Sequence, residues 1–155
     1  MRKISWFFTP FLILKDISPM EDHLRLTIEN TQSSHPCPRC HYRFSRPHSR
    51  YTSLIQDLPI SDHPIRLLLL SPKWFCDSLT CPVKVFTERY DWIASNGRRT
   101  IRAENVLRKI AFSTSCLAGE KVAQARHLPV THDVLLAIIH KTNIKVEVSP
   151  FCRNR

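Results

Sequence analysis

The chain has 155 residues, 43% of them hydrophobic, enough for one or two small domains and too little for a single large enzyme domain. Eleven prolines against two glycines point to short elements broken by turns and leave no Gly-rich loop to cradle a nucleotide phosphate. The net charge of +10 is uneven: residues 1–34 balance to zero, residues 35–95 carry +3 and residues 96–155 carry +7, so the last third bears the footprint of a polyanion binder or, on the blander reading, a solvated basic surface.

In chain order, Met1-Arg-Lys followed by the apolar run from Trp6 to Leu14 imitates a signal peptide. Pro10 interrupts the run, Lys15 and Asp16 end it, no small-residue cleavage site follows, and it is too short to span a bilayer. The segment reads instead as a buried strand or as sequence upstream of a start at Met20, and the expected location is the cytoplasm. From Asp22, Leu24, Leu26 and Ile28 alternate with polar residues, the period of a half-buried strand. Thr31 to Ser34 make a polar turn into the first cysteine pair. Two further extended stretches, 50–58 and 65–70, flank a turn between Pro59 and Pro64.

Beyond Thr87 the pattern becomes basic and helical. Ala103, Val106, Leu107, Ile110 and Ala111 share one face of a helix from about Arg98 to Phe112. A second helical stretch follows Gly119, from Glu120 to His127. Pro129 breaks it, Thr131 suits an N-cap, and Val134, Leu135, Ile138 and Ile139 give a third helix its apolar face. Two short helices across a tight turn make a candidate helix-turn-helix. The fold class expected is therefore α+β, a small β-rich zinc ribbon followed by a helical segment. The divisions are 1–34 as leader and first strand, 35–92 as ribbon, 98–142 as helices and 143–155 as tail.

Four of six cysteines form two close pairs, Cys37-x-x-Cys40 and Cys76-x4-Cys81, separated by 35 residues. Two thiolates two to four residues apart converge on one ion from a tight turn, and a second such turn completes a tetrahedron, so the pattern predicts one zinc held by Cys37, Cys40, Cys76 and Cys81. Four protein ligands leave no open position, which makes the metal structural. Pro38 and Pro82 would stiffen the turns, and Arg39, Arg43 and Lys84 would favour thiolates. A disulfide or four unrelated thiols are the alternatives, the disulfide disfavoured in a reducing compartment. His35, His41 and His48 are near enough to replace a ligand, Cys116 reads as a small buried side chain, and Cys152 lies in a polar tail.

Cys37-Pro-Arg-Cys40, His48-Ser-Arg-Tyr51, Asp57-Leu-Pro59, Phe75-Cys76, Cys81-Pro82, Phe86-Thr-Glu-Arg89, Arg99-Thr100 and Pro129-Val-Thr131 with Leu135-Leu136 occur in an order and spacing that resembles the N-terminal region of bacterial ISL-three family insertion-sequence transposases, over roughly residues 24–142. The resemblance implies a zinc-binding domain and a helix-turn-helix that together recognise the element's terminal inverted repeats in the nucleoid. Possible further partners are a second copy or a full-length transposase. In the family an acidic catalytic domain follows. Here only Glu147 is acidic beyond Asp133, so the chain reads as a truncated, non-catalytic fragment. His41 and His127 stand where the family usually has glycine, and Ala137 where it often has arginine.

The DNA contacts expected are Thr131, His132, His140 and Lys141 on the third helix, with Arg98, Arg99 and Arg102 clamping backbone phosphates. A zinc-ribbon module that binds protein, or a remnant without function, is the alternative.

Overall fold

The computed structural model describes residues 11–95 and 97–142, a mixed α+β arrangement of seven strands and three helices. The strands are β1 (Leu12–Pro19), β2 (Leu24–Asn30), β3 (His35–Pro36), β4 (Arg43–Phe44), β5 (Pro47–Ile60), β6 (His63–Phe75) and β7 (Val85–Thr87). The helices are α1 (Ile101–Ser113), α2 (Cys116–Ala125) and α3 (His132–Lys141). One sheet runs in the order β1-β2-β6-β5, with β7 also paired to β6, and β3 and β4 form a separate small hairpin. Among the described residues, no helix is long and apolar enough to cross a membrane.

Period-two patterning builds the sheet. Ile65, Leu67, Leu69 and Ser71 of β6 are buried on one face, where Leu12, Ile28 and Ile55 join them from the neighbouring strands. Trp92, Tyr90 and Ile93 pack against this cluster from the segment after β7. The expected strands at 50–58 and 65–70 are longer than their patterns indicate. The turn between them shrinks to Ser61 and Asp62, both with positive φ (47° and 63°), the combination a two-residue hairpin requires. Pro59 is accommodated because the register shifts between Asp57 and Ile60, a break in the ladder where its missing N–H costs little.

Residues 12–19, upstream of Met20, are part of the sheet. β1 pairs antiparallel with β2 from Leu12↔Asn30 to Pro19↔Leu24, with a bulge between Leu14 and Asp16. That bulge carries the strand through the charged residues that end the apolar run, so the pairing continues where hydrophobicity stops. Residues 1–10, with the start of the apolar run from Trp6, and Cys152 lie outside the described residues.

The three helices begin and end within a few residues of the expected bounds, except that α2 starts before Gly119. Ser115 caps α2, its hydroxyl accepting from the Ala118 amide, and Thr100 caps α1 in the same way through the Ala103 amide. Leu107, Ala123, Leu128, Leu135 and Ile138 form the buried centre of the helical cluster. Gly119 sits where α2 comes nearest its neighbours: a Cβ there would lie 2.9 Å from Leu135 Cδ1 and 3.1 Å from Thr114 Oγ1. Between α2 and α3, His127 takes a left-handed conformation (φ 54°). Leu128 then turns inward, its amide donating to the Ala123 carbonyl.

A buried carboxylate couples sheet to helices. Asp57, 1% exposed, accepts from the Thr100 hydroxyl at 2.7 Å and from Arg102 Nε at 2.7 Å, and Arg102 Nη2 reaches its second oxygen. Beside it, the Gln56 amide donates to the Arg98 carbonyl and the Gln56 carbonyl accepts from the Thr100 amide, so residues 98–100 extend the sheet at the edge of β5.

Removing one partner of a buried ion pair strands the other, so Asp57→Ala should lower unfolding free energy by about 3 kcal/mol in urea titration; a loss within error would show that the pair does not hold the helices. His127→Gly should raise stability by about 1 kcal/mol, because a left-handed backbone penalises a Cβ; a lower denaturation midpoint would contradict the strained turn.

Candidate metal centre

The two cysteine pairs occupy the tips of two hairpins. Cys37 follows β3 and Cys40 precedes β4, and the turn closes through the His41 amide on the Cys37 carbonyl and the Cys37 amide on the Tyr42 carbonyl, both 2.9 Å. His41 has φ 63°, a conformation that glycine adopts without cost. Cys76 and Cys81 lie in the loop joining β6 to β7. There the Cys76 amide donates to the Lys84 carbonyl and the Cys81 amide to the Ser78 carbonyl. β3–β4 and β6–β7 thus present their loops to each other. Arg46, paired with Asp77 and stacked 4.1 Å above the Phe75 ring, fastens the β4–β5 linker to the second loop.

The four Sγ atoms all lie within 4.8 Å of one another, with Cys37–Cys81 at 3.9 Å and Cys40–Cys76 at 3.7 Å. Tetrahedral zinc with bonds of about 2.3 Å requires sulfur–sulfur separations of about 3.8 Å. These thiols therefore fit one structural zinc, and they are too far apart for disulfide bonds. When bound, the metal supplies cross-linking of the two loops and charge compensation for the thiolates.

Burial shapes the thiols' acidity. It pushes the Cys76 thiol up to about 12 and also raises Cys40. At Cys37 burial acts in the same direction, but the backbone amides of Cys40 and Arg39, with the neighbouring Cys40 and Cys76 thiols, outweigh it and bring the group down to about 7. Backbone donors in the turn thus do the work expected of nearby cations, and Arg43 turns away to the Ser34 carbonyl and hydroxyl.

The histidines near the loops are otherwise engaged. His35 faces Glu88 at 3.4 Å, and burial lowers its basicity. His48 packs edge-on against Phe75, and His41 is exposed. Around the centre, Trp74 and Phe86 complete a small apolar cluster with Cys37, Cys76 and Cys81. Behind it runs a polar network that sequence patterns do not reveal: Asn30 Nδ2 and the Tyr90 hydroxyl both donate to Glu88, and the Tyr90 hydroxyl also bonds Ser71 at 2.8 Å. Its members come from three separate stretches of chain, so only the buried positions of Asn30 and Glu88 identify it.

The remaining candidate residues lie away from the metal, at the helices. Arg98, Arg99 and Lys141 line one groove with Ala137 and Glu104. Arg102 is engaged by Asp57. Thr131 holds the N-cap position of α3 without a hydroxyl cap bond, and Glu120 of α2 takes the His132 amide and also faces the His132 ring. His140 is exposed on α3.

The metal-bound protein should contain one zinc, and Cys37→Ser or Cys81→Ser should abolish retention and disorder the loops; stoichiometric zinc in a variant lacking all four cysteines would refute the centre. Zinc competes with protons for these thiols, so retention should be full above neutrality and fall as pH drops, with protons released on binding. Calorimetry in buffers of different ionisation heat measures the release, and an absence of release would contradict thiolate ligation.

Comparison of the chain with curated proteins and with solved structures finds no significant match. Residues 33–81, the segment from the turn before β3 through the fourth ligand, match the family model described as the zinc-finger of transposase IS204/IS1001/IS1096/IS1165.

Proposed function

We propose that the chain is the DNA-binding front of an insertion-sequence transposase, recognising the terminal inverted repeats of its element from the nucleoid, with α2 and α3 as a helix-turn-helix and the zinc loops as a rigid appendage. The observation that carries this reading is the groove in which Arg98 and Arg99, just before α1, meet Lys141, at the end of α3, in a chain that also carries a transposase-type zinc ribbon. Basic side chains at the two ends of a helix pair suit phosphates on either side of a major groove that α3 enters.

The packing supports that role for α3. Leu135 and Ile138 face the core, which leaves His132, Leu136, Ala137 and His140 outward. Gly119 allows α2 and α3 to approach closely, and His127 turns the chain between them. Arg98, Arg99, Lys141, Thr131, His132 and His140 are the proposed contacts. Arg102 acts mainly through Asp57, holding Arg98 and Arg99 in place. Four thiolates close the metal to substrate, so the zinc ribbon performs no catalysis, and the strand-cutting chemistry of such a transposase belongs to a separate acidic domain.

A second reading, a protein-binding ribbon that docks on another transposase copy, is favoured by Leu79, 97% exposed at the tip of the second cysteine loop. Salt separates the two, since phosphate contacts weaken steeply with ionic strength and apolar docking does not. In a gel shift, the zinc-loaded chain should bind the element's terminal repeat more tightly than scrambled duplex; equal affinity for both would reduce the function to unspecific phosphate attraction.

A further inference from the structure

The face of the sheet opposite the apolar core is left uncovered by the described elements. Its side chains, Thr27 of β2, Leu68 and Leu70 of β6 and Leu54 of β5, are exposed or half-buried, with Leu54 46% exposed. Strand register places a basic row across one end of this face. Arg25 of β2 is directly opposite Arg66 of β6, Arg66 is opposite Gln56 of β5, and Gln56 bridges to Arg99. Directly opposed like charges destabilise a sheet, and nothing in the strand pairing itself calls for them. Arg25 Nε is shielded from solvent and makes no hydrogen bond. Arg66 helps to hold the Asp22 carboxyl low, behind the larger effect of His23.

Beside the row is a cavity of about 350 Å³ lined by Arg66, Arg98, Arg99, Gln56, Leu54 and Pro129. Gln56 organises it: its Oε1 accepts from Arg99 Nε at 3.1 Å and its Nε2 donates to the Pro129 carbonyl at 2.9 Å, which anchors the loop leading into α3. Arg98 and Arg99 also line the groove that Lys141 borders, so the two cavities share a wall.

We infer that Arg25 and Arg66, with Arg99, form a phosphate-binding notch on the open sheet face, so that the sheet itself grips the DNA backbone next to the site of α3. The charge of the notch fits a polyanion, since planar guanidiniums in a row take phosphate oxygens through paired N–H donors. This inference rests on the DNA-binding reading above and extends the contact surface from the helices to β2 and β6.

The test is fluorescence anisotropy of the full zinc-loaded chain with a labelled mixed-sequence duplex across a salt series. Arg25→Gln/Arg66→Gln should lower the log–log salt slope by about 2 and weaken binding uniformly across sequences, while Arg25→Lys/Arg66→Lys keeps most of the slope. Removing opposed like charges should leave the melting temperature unchanged or raised, which separates lost contacts from lost folding. Wild-type binding with an unchanged slope in the glutamine variant overturns the notch alone. Absence of wild-type binding to any duplex overturns the notch and the DNA-binding reading together.

Discussion

The pairing of β5 with β6, continuous in direction from the Ser61–Asp62 turn to Pro47↔Trp74, sets the distance between the cysteine loops and the helices. A strand of thirteen residues extends about 40 Å. At one end β6 runs directly into Cys76, so the metal loops inherit the rigidity of the ladder. Toward the other end, Gln56 and Asp57 of β5 receive residues 98–102, and through them the helices. Metal and helices do not touch the same residues, yet both are referenced to the same two strands. β2 pairs in parallel with the middle of β6, and β7 pairs with it near the metal, so the strand that carries the load is the most fully bonded one.

Scarcity of glycine shifts conformational strain onto other residues. Left-handed backbone is needed at the first cysteine turn, at the β5–β6 hairpin and between α2 and α3, and these places hold His41, Ser61, Asp62 and His127. Only Gly97, in the connection before α1, uses glycine's freedom for positive φ. The second glycine, Gly119, serves close helix packing instead, where the missing Cβ matters and φ does not. His41 and His127 are the two positions where the resemblance to ISL-three transposases leads one to expect glycine. The backbone keeps the conformation and bears the cost of a Cβ.

Charge is divided between holding the fold and facing outward. Arg102 neutralises the buried Asp57, Arg46 clamps Asp77, and Lys15 and Arg50 both reach Glu29, so these cations have carboxylate partners within the chain. Arg25, Arg66 and Arg99 are arranged differently, side by side across an uncovered face. Net charge alone would have assigned all of these side chains to one electrostatic footprint.

Much of the architecture is legible from local signals. Cysteine spacing identifies the ligand set because thiolates two to five positions apart must share a turn, and alternation over 24–28 marks β2 because one side of a half-buried strand must be apolar. Helical periodicity finds α1 and α3 for the same reason. By itself, then, the sequence determined the metal ligands, the mixed fold class and the order of strands before helices. Tertiary structure alone decided that β1 continues past its apolar run, that β2 lies parallel to β6, that Arg102 is bound to Asp57, and that Arg25, Arg66 and Arg99 share a row. Each of these depends on which backbone edge meets which across tens of residues, and pairing of that kind leaves no periodic trace in the chain.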